Sequence, residues 1–234
     1  MKKDKFALAI VAGALGVAAS ALPASAVTIG NMGGGNCYPF TCNDSRTSVG
    51  QSMDYQEIYL GSAVGPITIS RISFQSYPLG TPELLGGTYD ITFGTTTSTL
   101  GTGYPVPVSN GETFREVTVS SAQSIGNYLS FSGTPYTFDP LTEGNLVMEV
   151  VVTNQDNVCN GCGNGYLWAD YTGSLITRAY EIGGQGPAPY TTGALVTSFN
   201  GVPEPPAWAM MMLGFAGLGF AGYRASRRSA AFAF

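Results

Sequence analysis

Histidine is absent from the chain, and all of its lysines lie within the first five residues. Without histidine, a Ser–His–Asp triad, a histidine-ligated zinc ion and imidazole acid–base chemistry are excluded. A lysine that forms a Schiff base is excluded for every position after residue 5. Catalysis would depend on carboxylates, as in glycosidases, and no pair of them stands in a recognisable motif. We therefore predict that the protein is not an enzyme and that it uses no cofactor.

Positive charge is scarce between residues 27 and 201, where 13 acidic residues accompany only four arginines. The resulting net charge of this region, near −9, repels phosphate backbones, so we expect no binding of nucleic acid. We interpret the acidity as a property that keeps an exported protein soluble, in preference to a dedicated cation site.

The first 26 residues have the three parts of a secretory signal peptide. The lysines form a positive region, an apolar stretch runs from Phe6 to Ala19, and Ala24 and Ala26 supply the small residues of a cleavage site. Cleavage after Ala26 would start the mature chain at Val27 and would remove every lysine. The sequence therefore predicts export through the secretion translocon, with residues 1–26 as the signal peptide.

The C-terminal region contains an unbroken apolar run of 17 residues, from Ala207 to Tyr223. At 1.5 Å per residue, this run is about 26 Å long, which is at the lower end of the length range of transmembrane helices. Basic residues that directly follow a spanning helix stay on the cytoplasmic side, and here they are Arg224, Arg227 and Arg228. We therefore predict a transmembrane helix over 207–223, with the chain before Val202 outside and a short tail, 229–234, after the arginines.

A proline turn precedes this helix and consists of Pro203, Glu204, Pro205 and Pro206. Proline fixes φ and lacks an N–H, so the turn is extended and separate from the helix. The order of proline turn, apolar helix and terminal arginines closely resembles the PEP-CTERM sorting signal of Gram-negative bacteria, here residues 202–228. Further matching residues are Trp208-Ala209-Met210-Met211, Leu213-Gly214 and the glycine-rich stretch through Gly222.

This resemblance implies that an exosortase, an intramembrane enzyme similar to cysteine transpeptidases, processes the chain near Pro203, Glu204 and Pro205. It also implies export across the inner membrane, transient anchoring by the helix, and a final place on the outer surface or in the extracellular matrix. The chain departs from the family pattern in one respect, because it continues past the arginines with Ser-Ala-Ala-Phe-Ala-Phe.

The region between the two signals is rich in Gly, Thr, Ser, Val, Ile and Tyr, and it shows no apolar repeat at helical spacing. Short runs of strand character recur between turn signals, which favours an all-β fold, an antiparallel β-sandwich that is jelly-roll-like. The predicted strands are Tyr55–Leu60, Ile67–Phe74, Thr88–Phe93, Phe114–Val119, Tyr128–Phe131, Leu146–Val152, Tyr166–Ala169, Leu175–Tyr180 and Ala194–Phe199.

Several finer features follow from the same pattern. The almost wholly apolar run Leu146–Val152 predicts a central strand that is covered on both faces. A change of apolar phase near Ser70 and Arg71 predicts a β-bulge. We expect residues 27–53 to form a loosely structured Gly- and Asn-rich arm, residues 54–201 to form the sandwich, and Gly94–Asn110 to form a long polar loop.

The middle region is also similar in outline to other PEP-CTERM proteins, over roughly Asp54 to Asn200. This similarity implies a shared sandwich and no known catalytic residue. The segments that carry it are Asp54–Tyr59, Gly65–Ile69, Gly87–Ile91 and Leu129–Pro140.

The four cysteines form two close pairs, Cys37 with Cys42 and Cys159 with Cys162. Export to an oxidising space favours structural disulfides over a zinc site or a redox motif, although this spacing permits zinc in principle. Four cysteines allow three pairings. We favour the two local disulfides, and pairing between the two loops is the main alternative.

Other candidate sites are weaker. Asp156 lies in a polar segment that could offer oxygen ligands to Ca²⁺, but a plain hairpin loop is the simpler interpretation. Trp168, with Tyr166 and Tyr171, is a candidate platform for stacking a sugar, whereas strand alternation favours burial of Trp168 in the core. Asp139 and Glu143 have the sequence context of turn residues.

Two functional hypotheses follow. The first is an exosortase substrate that acts as a non-catalytic structural or adhesive component of the cell envelope or the exopolysaccharide (biofilm) matrix, with exopolysaccharide as a candidate partner. The second is a secreted carbohydrate-binding module that uses aromatic and amide side chains on the sandwich. A carboxylate-based hydrolase is a more distant third.

Overall fold

The computed structural model describes residues 26–42, 52–155, 165–188 and 191–200. Its described elements are almost all strands, apart from two helices of four residues each. In chain order, the elements are β1 (Val27–Ile29), β2 (Gly34–Asn36), β3 (Met53–Tyr59), α1 (Gly61–Val64), β4 (Ile67–Gln75), β5 (Glu83–Leu84), β6 (Gly87–Thr96), β7 (Ser109–Val119), β8 (Gln123–Ser124), β9 (Tyr128–Phe138), α2 (Pro140–Glu143), β10 (Asn145–Thr153), β11 (Leu167–Asp170), β12 (Ile176–Ile182), β13 (Ala194–Leu195) and β14 (Thr197–Phe199).

Two antiparallel sheets form a β-sandwich, which confirms the predicted all-β class. One sheet has the strand order β1-β14-β4-β9, and the other has the order β12-β3-β10-β6-β7. Smaller sheets, β13-β11-β2 and β5-β8, complete the described fold. Each predicted strand coincides with an observed one, except that the last is divided into β13 and β14 at Val196.

Strand β10 lies at the centre of the five-stranded sheet, between β3 and β6. Its neighbouring residues Val147 and Met148 point to opposite faces, and both are fully buried. The prediction of a central strand covered on both faces is therefore confirmed, and its continuous apolar sequence follows from that position.

Aromatic side chains hold the two sheets together. The ring of Phe199 on β14 lies 5.1 Å from that of Tyr59 and 6.1 Å from that of Phe93, both on the opposite sheet. Tyr136 on β9 stacks on Phe93 at 5.6 Å. Contacts of this kind contribute about 0.5–1.5 kcal/mol each beyond the apolar area that they bury.

The segment from residue 97 to residue 108 packs across the outer face of the five-stranded sheet. Gln56 on β3 forms a two-point contact with Val106, donating from Nε2 to its carbonyl at 3.2 Å and accepting from its N–H at 2.8 Å. Val106 is 2% exposed and packs with Ile58, Val147 and Ala179. The predicted loop is therefore present, but it covers the sheet and packs on it through apolar as well as polar residues.

The prediction that the arm is loosely structured is wrong for residues 27–42. Strand β1 pairs with β14, and β2 pairs with β11. Phe40 is fully buried, with its ring 5.1 Å from that of Phe74 and 5.3 Å from that of Phe131. Strands of three residues give no periodic pattern of their own, so their order comes from tertiary pairing.

Candidate functional site

The residues of the predicted sorting motif lie outside the described part of the chain, as does the predicted helix over 207–223. This applies to Pro203, Glu204 and Pro205, to the arginine cluster, and to Ala24 of the signal-cleavage site. Ala26 is described, and it lies exposed directly before β1. Within the described residues, no helix is long and apolar enough to cross a membrane.

The two ends of the described fold lie side by side. Val27, the predicted first mature residue, is the register partner of Phe199 in the antiparallel pair of β1 and β14. Phe199 is followed by Asn200, the last residue described, two positions before the sorting segment starts at Val202. The first and last described strands therefore border the two segments that the sequence predicts to be signals.

Asn200 fixes the end of the sandwich by filling the β-bulge in β4. The register of β4 against β9 shifts between Ile69 and Arg71, which confirms the predicted bulge. The Asn200 Oδ1 accepts hydrogen bonds from the N–H of Ser70 at 2.9 Å and of Arg71 at 3.3 Å. Its Nδ2 donates to the carbonyl of Thr68 at 2.7 Å. One side chain thus satisfies the backbone groups that the bulge removes from the ladder.

Replacing Asn200 with alanine is expected to destabilise the sandwich by about 2 kcal/mol, because three backbone groups lose their partner. Asn200 also has a positive φ of 52°, which alanine tolerates less well. Asn110→Ala is the matched control, because Asn110 has the same φ but is exposed and makes no side-chain hydrogen bond within the described residues. Urea unfolding of the two variants measures the difference, and equal losses would contradict the assigned role of the Asn200 side chain.

The predicted local disulfide between Cys37 and Cys42 is present, with a Cα–Cα distance of 5.0 Å. It closes the loop that carries Phe40 into the core. Cys159 and Cys162 lie outside the described residues.

The three aromatic residues proposed as a sugar platform do not share one surface. Leu167 and Ala169 are fully buried, so alternation along β11 places Trp168 on the other face, where it is half-buried. The expectation that Trp168 belongs to the core is therefore wrong. Tyr171 is 48% exposed and donates a hydrogen bond to the carbonyl of Gly35 at 2.8 Å.

Trp168 instead lines an open groove with Tyr77, which the sequence did not indicate. The two rings meet edge to face, with their centroids 4.6 Å apart. The segment that carries Tyr77 is held to β11 by a hydrogen bond of 2.7 Å from the Tyr77 N–H to the Tyr166 carbonyl. Gly35, the register partner of Trp168, has no side chain, and a Cβ there would lie 3.1 Å from the Tyr77 ring. The missing side chain therefore lets the Tyr77 ring approach β2.

A buried carboxyl group, that of Glu57, lies between the two sheets. Glu57 is fully buried on β3, and its Oε1 accepts from the Tyr55 hydroxyl at 2.6 Å and from the Leu195 N–H. Its Oε2 accepts from the Tyr59 hydroxyl at 2.7 Å, and that hydroxyl is 2.9 Å from the Thr197 Oγ1. We call these five residues the Glu57 network, and it links β3 to β13 and β14.

Burial raises the pKa of Glu57 to about 7. Loss of hydration outweighs the hydrogen bonds and the attraction of Arg178, all of which favour the anion. Burial also raises the pKa values of Tyr55 and Tyr59 well above the usual range. None of the five residues lines a groove among those described, and we assign the network a structural role.

The remaining acidic candidates have local roles. Asp139 accepts from the Leu141 N–H at 3.0 Å, and Glu143 accepts from the Asp139 N–H at 2.8 Å, so together they cap α2. Asp156 lies outside the described residues. In the part of the chain that the structure describes, no three acidic or cysteine side chains are grouped so as to hold a metal ion.

No protein-family model, no curated protein and no solved structure matches this chain.

Proposed function

We propose that this protein is exported and sorted by an exosortase through its C-terminal segment, 202–228, and then serves as a non-catalytic structural or adhesive component. Its place is the outer surface or the exopolysaccharide matrix of a Gram-negative bacterium. The proposal includes a transient membrane anchor over 207–223 and a jelly-roll-like strand order in the sandwich.

The observation that carries this proposal is the position of the fold boundaries. The first described strand begins at Val27 and the last ends at Phe199, and these two residues are register partners on one sheet. A chain built in this way can lose a signal peptide and a sorting tail without losing a described strand. The Cys37–Cys42 disulfide supports export as well, because disulfides persist in oxidising compartments.

The proline turn supplies the chemistry that a sorting enzyme can recognise. Prolines 203 and 205 keep the backbone extended, so little conformational entropy is lost when it enters an active site. Glu204 is the single charge between them and is placed to pair with a basic group of the enzyme. The turn thus offers one fixed shape and one charge directly before the membrane.

Glu204→Ala is expected to impair processing while membrane insertion continues, because the helix and its arginines are unchanged. The measurement is the size and membrane association of the protein in cells with and without a functioning exosortase. Glu112→Ala is the matched control, since it removes an exposed glutamate on β7 far along the chain from the turn. If loss of the exosortase leaves the protein's size and location unchanged, the tail is an ordinary anchor and the proposed sorting is wrong.

A further inference from the structure

The groove beside Trp168 has the shape of a small-molecule subsite. It is open, holds about 500 Å³, and lies between the end of β4, the segment after it, β8 and β11. Ligand sites commonly have volumes of roughly 300–1,000 Å³ and combine an aromatic wall with a few polar groups. The aromatic wall here consists of Tyr77 and Trp168.

The polar groups of the groove are uncharged. Gln75, Ser124 and Asn127 line it, and none of its described lining residues is acidic or basic. The three other grooves described each contain at least one charged residue. A charged ligand would therefore find no partner in the groove, whereas a neutral ligand rich in hydroxyls would find both donors and acceptors.

These polar groups are also available. Within the described part of the chain, the side-chain amides of Gln75 and Asn127 and the indole N–H of Trp168 make no hydrogen bond with one another or with their neighbours. Each amide presents a carbonyl oxygen and an NH₂ group, and the indole presents a single donor. A pyranose ring matches these groups, because its apolar face can pack on the aromatic wall and its hydroxyls can bond the amides and the indole N–H.

We infer that this groove, the Trp168 groove, binds a neutral hexopyranose unit of a polysaccharide. The Trp168 indole contacts the apolar face of the sugar, while Gln75 and Asn127 bond its hydroxyls. The inference rests on the proposed matrix role only for where the chain would meet such a polymer. Binding itself depends on residues of the sandwich and not on processing of the tail.

The chain is well suited to a direct test, because it has only two tryptophans, Trp168 and Trp208. In the full-length chain with Trp208→Phe, purified in detergent, all indole fluorescence comes from the groove. The probes are cellohexaose, maltohexaose and laminarihexaose, with hexagalacturonate as the anionic comparison. We expect a saturable change in emission with at least one neutral probe and a weaker response to the anionic one.

Side-chain variants then locate the site. Gln75→Ala and Asn127→Ala keep the reporter and are expected to weaken binding, and calorimetry should show a loss of roughly tenfold or more for Trp168→Ala, as for a central aromatic anchor. Leu141→Ala is the control, because Leu141 is 91% exposed on α2, an element that does not line the groove. Circular dichroism establishes that each variant is folded.

Three outcomes would overturn the inference: no saturable response to any neutral probe, stronger binding of hexagalacturonate, or a greater loss in Leu141→Ala than in the groove variants. None of them bears on sorting, which is measured separately by the size of the protein in cells. A failure of saccharide binding is therefore distinguishable from a failure of the proposed function.

Discussion

Replacing Glu57 with alanine is expected to lower the free energy of unfolding by about 3–5 kcal/mol at pH 5. The change leaves the Tyr55 hydroxyl and the Leu195 N–H without their acceptor in a region that water does not reach. It also opens a cavity between the sheets, and partial relaxation recovers little of the lost packing. Urea unfolding of the exported protein, followed by circular dichroism, measures the loss.

Glu57→Gln is the matched control, because it keeps the shape of the side chain. The amide oxygen can still accept from Tyr55 and Leu195, and the NH₂ group can donate to the Tyr59 oxygen while Tyr59 donates to Thr197. We therefore expect this variant to lie within about 1 kcal/mol of the parent protein at pH 5. If alanine and glutamine are equally harmful there, the network does not stabilise the fold by its hydrogen bonds.

The two proteins should diverge as the pH rises. The pKa of Glu57 is about 7 in the folded chain, against an ordinary value of 4.5, so the folded state holds the proton more tightly than the unfolded state. Its stabilising effect is complete below pH 4.5 and is lost as the pH rises through 7. At about 1.4 kcal/mol per pH unit, the loss amounts to roughly 3 kcal/mol.

Glu57→Gln should lack this slope, because an amide does not titrate, and it should be more stable than the parent protein at pH 8. The charged and titratable groups facing Glu57 are Tyr55 and Tyr59 on β3, and Arg178 and Tyr180 on β12. Burial raises the pKa values of Tyr55 and Tyr59 further above this pH window, so their protonation does not change across it. Parallel pH profiles for the two proteins would contradict a proton on Glu57.

The strands were predictable because a sheet imposes its period on the sequence directly. Tyr89, Ile91 and Phe93 alternate with polar residues, and all three are buried. The bulge was predictable for the same reason, since an extra residue changes the phase of the apolar positions. The phase does not reveal which side chain bonds the backbone of the bulge. That residue is Asn200, which lies 130 positions after Ser70 in the chain.

The same alternation also indicates the burial of Glu57. In β3, the positions that share a face with the buried Tyr55 and Tyr59 include Glu57, so alternation places a carboxyl group in the core. A lone glutamate among apolar positions usually indicates a turn or a strand edge. Here the hydroxyl groups of Tyr55 and Tyr59 donate hydrogen bonds to the carboxyl group, and these bonds reduce the cost of burying it. For Trp168 the alternation was assigned in the wrong phase, because Leu167 and Ala169 hold the inward positions.

The Trp168 groove had no signal in the sequence. Tyr77 and Trp168 are 91 positions apart, and they meet only because Ser76 forms an isolated bridge with Leu167. Gly35, on a third segment, has no side chain and so leaves room for the side chains of Tyr166 and Tyr77. Long-range pairings of this kind depend on the completed fold and not on local pattern.

Reversing the charge of Arg224, Arg227 and Arg228 to glutamate is expected to abolish processing almost completely. The apolar run that they follow has 17 residues and is only just long enough to span the membrane, so it has little freedom to slide. Each residue of slippage along the helix axis moves the proline turn by about 1.5 Å. In the proposed anchor the arginines set this register, because basic residues are retained on the cytoplasmic side and acidic ones have little such effect.

Changing the same three positions to lysine is the matched control, since it keeps the positive charge and should leave maturation intact. Membrane association and size, followed in cells with and without the exosortase, separate three cases. Loss of both insertion and processing in the glutamate variant alone shows that charge sets the register. Loss of processing in the lysine variant as well would mean that the enzyme binds the guanidinium groups themselves, through bidentate hydrogen bonds that lysine cannot make. Normal maturation of the glutamate variant would show that the proline turn reaches the enzyme without a fixed helix, and the role proposed for the arginines would then be wrong.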